Sequence, residues 1–533
     1  MIMNLLRGSR RTSTVVGLAL MAIVAAGCTG TDDQRRSTDA PDRCEDPATW
    51  ESLSIGSAEI TDATGVWNDG ASTRVTPPEE TEVDTDPFCE VAVTLTHGEE
   101  GGFGPDEVGL WVWLPEDWNG RLQAIGGGGT YATNGPEVMR EALATGYAVT
   151  ASDAGIGEER QPNIFLTDQE TFDWQIFENW THRSIGETGL LAQAAIEAFY
   201  DEPAEYSYWN GCSNGGRQGL AAAQRYPDLF DGVLAAAPAL YGADRLNMTM
   251  SWPAIVQQER LGGLMDECTA TTMNTAIIDH CDADDGAEDG LLGDPRTCDV
   301  AAALQPLVGT ETPCGSITSE EVAVALEIFA GPTTPDGQAV WYGFEPGIDL
   351  AGGAIRTPPS FALQNFAFAD LDHDWTTVSS TDLVTSVRPR LQGRLELLAT
   401  ADPSLSRLRD AGGKVLMWHG LADAIFPAQQ SVHYVEEVTQ LTGESTADFL
   451  RLFLAPGVDH CGGGDGPAPA DPLAALVAWV EDGTAPDTLL AEDRDEDGEV
   501  VRTRDLCAFP AKQAYEGGEV DDAGSFTCEA ADG

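Results

Sequence analysis

Tyr206-Ser-Tyr-Trp209-Asn-Gly211-Cys212-Ser213-Asn214-Gly215-Gly-Arg217-Gln-Gly-Leu-Ala-Ala-Ala-Gln224 decides the fold. Residues favoured in strands fill Tyr206 to Trp209, and an alanine-rich run suited to a helix follows from Arg217 to Gln224. Between them stands Gly211-Cys-Ser-Asn-Gly215, a G-x-S-x-G pattern in the strand-turn-helix context that gives it meaning. A serine on so tight a turn is pushed out of the chain, and small flanking residues let the backbone pass close to both strand and helix. A glycine turn without chemistry is the bland alternative, and it does not account for the flanking elements.

The turn therefore predicts an alpha/beta-hydrolase with Ser213 as nucleophile. Serine is a weak nucleophile without a base, so an acid and a histidine should follow in the order Ser, Asp, His. Lys414-Val-Leu-Met-Trp418 runs into His419-Gly-Leu-Ala-Asp423, and Arg451-Leu-Phe-Leu-Ala-Pro-Gly457 runs into Val458-Asp459-His460-Cys461. His460 is the candidate base and Asp423 the residue that orients it. Asp459 is the rival acid, but adjacent side chains in an extended loop point apart. Cys212 precedes the serine and Cys461 follows the histidine. If serine and imidazole are within hydrogen-bond reach, their neighbours come to the roughly 5–6 Å between α-carbons that a disulfide needs. One oxyanion donor should be the amide of Asn214, and the other should come from Gly126 to Gly129, the glycine run after an early strand. No Gly-Lys-Ser/Thr follows that run, which argues against a phosphate loop.

Outward from the turn, apolar strands alternate with helices. Arg121 to Ile125, Tyr147 to Ala151, Gly232 to Ala236, Lys414 to Trp418 and Arg451 to Leu454 read as strands. Glu187 to Tyr200 and Asp471 to Val480 read as helices, so a mostly parallel sheet with helices on both faces is expected. Residues 240–407 break this pattern, are rich in Gly, Pro, Asp and aromatic residues, and hold four cysteines. They read as an inserted domain, stapled because its own core is thin, which divides the core into 44–239 and 408–533. The acidic Asp493-Arg-Asp-Glu-Asp-Gly498 begins like an EF-hand loop but has Arg504 where the last Glu belongs, and reads as a hairpin turn.

The 533 residues carry 88 acids against 28 basic residues, a formal charge of −60, which excludes nucleic acid and anionic membrane surfaces as partners. Residues 1–27 hold Arg7, Arg10 and Arg11, an apolar run from Val15 to Ala26 and no acid, the pattern of a secretory signal peptide. Its end, Ala25-Ala-Gly27-Cys28, resembles a bacterial lipobox, so Cys28 is a candidate for lipidation and 28–43 for a polar tether, with ordinary secretion as the alternative. Any membrane contact is expected only through that anchor. Apart from Cys28, ten of the 11 cysteines remain, an even number that reads as disulfides in an exported chain.

Cys212-Ser213, Asp423 and His460-Cys461 resemble the paired arrangement of the tannase and feruloyl esterase family, which includes the mono(2-hydroxyethyl) terephthalate hydrolase. The likeness extends from Cys44 to Cys528 through Trp118-Asn-Gly-Arg121, Ala235-Ala-Ala-Pro238 and the stretches quoted above. It implies an alpha/beta-hydrolase core with an inserted lid, a serine esterase, and small esters of aromatic acids as substrates. It also singles out Gly129 for the oxyanion hole, bridges Cys281 to Cys298, and matches Cys44 with Cys89 and Cys507 with Cys528. Cys268 with Cys314 is then left over.

Cys281-Asp-Ala-Asp-Asp-Gly-Ala-Glu-Asp-Gly-Leu291 packs five acids into eight residues, which repel unless a cation neutralises them. The resemblance implies a structural calcium ion here, held by the side chains of Asp282, Asp285 and Asp289 and the carbonyls of Ala287 and Leu291. A solvated acidic loop is the alternative. Phe426 stands as either a ring-stacking wall of the acyl pocket or a core residue. The lid shows no counterpart of an arginine gripping a free carboxylate, Arg356 being a distant candidate. Feruloyl, galloyl, chlorogenate, phthalate and hydroxyalkanoate esters stay open as substrates, as does a non-catalytic ligand-binding lipoprotein on the same scaffold.

Overall fold

The computed structural model describes residues 40–70, 73–75, 81–83, 85–156, 164–167 and 171–530. The expected signal peptide, Cys28 and most of the expected tether lie outside these residues. The elements below belong to one compact unit, Pro41–Gly533.

Nine strands form the central sheet: β1 (Glu59–Asn68), β2 (Phe88–Thr96), β3 (Val108–Pro115), β4 (Arg121–Ile125), β5 (Ala148–Ser152), β6 (Tyr206–Cys212), β7 (Gly232–Ala236), β8 (Lys414–Gly420) and β9 (Leu450–Ala455). Their spatial order is β1-β2-β3-β5-β4-β6-β7-β8-β9. From β5 onward every neighbouring pair is parallel. The first three strands add an antiparallel meander to that edge, so the sheet is mostly parallel, as expected, with an antiparallel edge that the sequence pattern did not announce.

The longer helices among the described residues are α1 (Pro136–Leu143), α2 (Ser184–Tyr200), α3 (Asn214–Arg225), α4 (Arg245–Leu261), α5 (Glu267–Cys281), α6 (Ser319–Ala330), α7 (Gln429–Thr442) and α8 (Pro472–Glu481). Because strand side chains alternate between faces, the sheet feeds two separate cores. Ala124, Trp209, Val233, Val415 and Leu452 share one core with α2, α3 and α7. Ile125, Tyr208, Leu234, Leu416 and Phe453 share the other with α1 and α8. Helices on both faces satisfy the apolar requirement of a sheet buried on each side.

Between β7 and β8 the chain leaves the sheet and forms the mainly helical insert that carries α4, α5 and α6, with Cys268–Cys314 and Cys281–Cys298 bonded inside it. Trp252 and Ile255 of α4, Ile277 of α5 and Ile328 of α6 join the same apolar cluster as Trp209 and Val233 of the sheet. The insert thus shares the hydrolase core, where sequence reading expected a thin core of its own. Beyond α8, Thr488–Arg494 pairs antiparallel with Val500–Cys507, and the acidic turn between them closes as Asp495 Oδ1 accepts the amides of Asp497 and Glu499. Cys507 is bonded to Cys528 and Cys44 to Cys89. Among the described residues no helix is long and apolar enough to cross a membrane.

Candidate active site

Ser213 sits between β6 and α3 with φ 63° and ψ −123°, a conformation that side-chain-bearing residues rarely adopt. The strain persists because the turn is overdetermined. Ser213 N donates to Ala236 O, and the amides of Arg217 and Ala239 donate to Ser213 O. A Cβ on Gly211 would lie 2.5 Å from the carbonyl carbon of Gly215, and one on Gly215 would lie 2.9 Å from Gly127 O. These glycines therefore bring strand, helix and the Gly126–Gly129 loop together at the serine.

That loop follows β4, whose hydrogen-bonded neighbour is β6. Side chains of α3 fasten it: Gln218 accepts the Gly127 amide at 2.8 Å and donates to Ala132 O, while Asn214 Nδ2 donates to Tyr131 O. Gly129 has φ +59°, and its substitution would be strained whatever the space around it. Buried Arg217 anchors the start of α3, donating to Asn214 Oδ1 and to the carbonyls of Thr181 and Trp180. Burial pushes its guanidinium down to about 9.

The acid and the histidine follow β8 and β9, a parallel pair. His460 Nδ1 is 2.8 Å from Asp423 Oδ2, so Nδ1–H is donated to the carboxylate and Nε2 is left as the nitrogen able to accept a proton. Asp459 Oδ1 instead accepts the backbone amides of Ala424 and His460, and so holds the two loops together. Asp423 is fully buried and its Oδ1 accepts the amides of Ile425 and Phe426, each at 2.8 Å. Burial raises its carboxyl, but bonds from His419 and His460 outweigh that and hold it well below the usual carboxylate range.

Sequence reading assigned no role to His419. It is completely buried, with Nε2 3.1 Å from Asp423 Oδ2 and 3.3 Å from Phe426 O, and Nδ1 2.8 Å from Ser431 Oγ. Two acceptors at Nε2 place its hydrogen there, leaving Nδ1 to accept from Ser431. Its place four residues before Asp423, at the end of an apolar strand, was the available signal. Cys212 and Cys461 are bonded with α-carbons 5.9 Å apart, joining the serine turn to the histidine loop. The Phe426 ring is buried and meets the His460 ring edge-on, with centroids 4.8 Å apart.

The acidic loop contacts the histidine loop from the insert side. A Cβ on Gly457 would lie 2.4 Å from Leu291 Cδ2, and Arg502 donates to both Asp289 O and Asp465 O. Asp282 Oδ1 accepts the amides of Asp289 and Gly290, Asp285 those of Ala287 and Gly293, and Asp289 that of Leu291. Arg504 pairs with Asp289 Oδ2. Asp285 is raised by burial, with Asp289 and Asp282 adding to the shift. Hard oxygen donors with excess negative charge suit a calcium-type cation in chemistry. In geometry, no group of three such side chains among the described residues is arranged to hold a metal. Arg356 is spent on Met265 O.

A strand-borne strained serine, a buried acid and a histidine joined to it define an alpha/beta-hydrolase. The family model described as tannase and feruloyl esterase matches residues 92–529. A probable feruloyl esterase of Arthroderma benhamiae is 37% identical over 464 residues, covering 83% of this chain and 85% of that one. The mono(2-hydroxyethyl) terephthalate hydrolase of Piscinibacter sakaiensis is 29% identical over 514 residues, with 83% and 85% covered. The crystal structure of an esterase from Aspergillus oryzae matches with a TM-score of 0.78 at 25% identity, over 92% of this chain and 100% of that one. The chain belongs to the tannase and feruloyl esterase family and is a carboxylic ester hydrolase.

Proposed function

We propose that the protein is an exported serine esterase acting on esters of aromatic carboxylic acids. His460 Nε2 takes the proton of Ser213 Oγ as Oγ attacks the ester carbonyl. The amides of Gly129 and Asn214 hold the oxyanion, and the alcohol leaves with the proton from His460. Water, deprotonated by the same histidine, then releases the acid and frees Ser213. Asp423 keeps the imidazole in one tautomer throughout. The observation that carries this reading is the 2.8 Å contact of Asp423 with His460, on a loop disulfide-bonded beside Ser213.

Feruloyl, galloyl, chlorogenate or phthalate esters are the proposed substrate class; a probable feruloyl esterase and a terephthalate-monoester hydrolase among the relatives support the aromatic acyl group. Phe426, packed on the candidate base, is proposed to face the substrate ring. The arginine-rich, acid-free leader supports export, with Cys28 as the proposed lipid anchor. Calcium is proposed at Asp282, Asp285 and Asp289 with the carbonyls of Ala287 and Leu291, where bound cation would neutralise the loop. To ligate it, the carboxylates must turn from the amides they now accept.

The test is hydrolysis of nitrophenyl and hydroxycinnamoyl esters by the wild type and Ser213→Ala, with fluorophosphonate labelling read by peptide mapping. Loss of turnover and of label at Ser213 is expected. Near-wild-type activity in Ser213→Ala would sink the serine mechanism.

A further inference from the structure

Glu345 belongs to the insert, yet its carboxylate reaches the segment that carries Asp423. Its Oε1 accepts the amide of Gln429, the first residue of α7, at 2.7 Å. The residue is only 6% exposed, and its Oε2 has no hydrogen-bond partner among the described residues. A second contact falls at the other end of the same loop, where Ala354 N donates to Ala424 O at 2.7 Å. The insert therefore grips the Asp423–Gln429 loop at both ends.

The first three residues of α7 each tie a different part of the site. Gln429 is held by Glu345. Gln430 Nε2 donates to Pro238 O, and the next residue, Ala239, donates its amide to Ser213 O. Ser431 bonds His419, whose other ring nitrogen faces Asp423. Moving the start of α7 would thus disturb the acid, its second histidine and the serine turn together.

We infer that Glu345 is a positioning residue, fixing from the insert the start of α7 and so the alignment of Asp423, His460 and Ser213. Seating of the insert and assembly of the reactive geometry are then one event. The inference rests on the serine-esterase reading above. An ordinary helix cap needs no buried carboxylate, because serine, threonine or asparagine serve at the surface. Burial pushes this carboxyl up to about 7, with Asp423 adding to the shift, so a neutral amide acceptor should replace it well.

Glu345→Gln keeps the acceptor, and Glu345→Leu keeps the volume without it. For both, kcat and KM on a nitrophenyl ester, the rate of fluorophosphonate labelling of Ser213 and the melting temperature are measured, with assays well below melting. Glu345→Leu is expected to lower kcat and labelling by about tenfold or more with KM within about threefold, since small misplacements of reacting groups cost rate. Glu345→Gln is expected to restore kcat to within about threefold of wild type by the same argument. Should Glu345→Leu not fold, Glu345→Asp withdraws the acceptor by one methylene and carries the same expectation. Wild-type kcat in the leucine or aspartate variant, or equal impairment of the glutamine variant, overturns the inference. A wild type that turns over ester but is not labelled at Ser213 sinks the serine reading instead, and the ratio of leucine to glutamine turnover still reports on Glu345.

Discussion

His97 is buried between two carboxylates, with Nδ1 2.6 Å from Asp106 Oδ2 and Nε2 2.8 Å from Glu187 Oε1. Burial alone would lower its pKa, but the bonds to Asp106 and Glu187 outweigh burial and push it up to about 9. Asp106 is raised by burial and drawn down further by His97 and Asn179, to about 2. A raised histidine stabilises fully below its ordinary value of 6.5 and loses the contribution as pH rises through about 9. A depressed aspartate stabilises above 3.8 and loses the contribution as pH falls through about 2. His97→Gln leaves the buried carboxylates uncompensated, so it should cost on the order of 3–5 kcal/mol near neutral pH. Thermal melts of both proteins at pH 5, 7 and 10 should show the gap shrinking at the alkaline end, and a constant gap would refute the charged pair. No local pattern announces this cluster, because Asp106, His97 and Glu187 come from three separate segments. The placement of Ser213, Asp423 and His460 was legible because each follows a strand inside a recognisable stretch. Glu345 was illegible for the opposite reason: its meaning lies in a contact made 84 residues along the chain.

At the scale of elements, the turn after β6 and the loop after β9 are joined by Cys212–Cys461 across a sequence separation of 249 residues. The placement of one cysteine beside each candidate catalytic residue made this bond readable from the sequence. Replacing both cysteines by alanine frees the histidine loop, and a shift of about 1 Å can cost on the order of a hundredfold in rate. Turnover should fall with KM little changed, and an unaltered kcat would show that the loop needs no clamp. The acidic loop after α5 poses a second element-scale question. If calcium binds the native loop and not the unfolded chain, it should stabilise by about 2.7 kcal/mol at a hundred times its dissociation constant. Chelation should then lower the melting temperature, calcium should restore it, and Asp282→Ala should abolish the response. Sodium chloride screens diffuse repulsion without a site. Equal rescue by sodium chloride at matched ionic strength would make the loop an acidic surface held by Arg504 and its own amides.

Over the whole molecule, the parallel half of the sheet was readable because short apolar runs alternate with helices. The antiparallel strands β1 to β3 were not, since no such alternation frames them. The insert was recognised by its broken pattern, but its composition hid where its apolar side chains go. Trp252, Ile277 and Ile328 pack into the cluster that holds Trp209 and Val233, so removing the insert would strip one face of the sheet. A domain with a private core can melt alone; one that shares its core cannot do so without exposing its partner's apolar surface. Calorimetry of the disulfide-intact protein should therefore give one unfolding peak covering sheet and insert together. The formal charge of −60 adds self-repulsion that salt screens, so sodium chloride should move that peak upward without splitting it. Two resolved peaks, with proteolysis at the lower one confined to the insert between β7 and β8, would show that the insert folds apart and that the shared core contributes little to holding it.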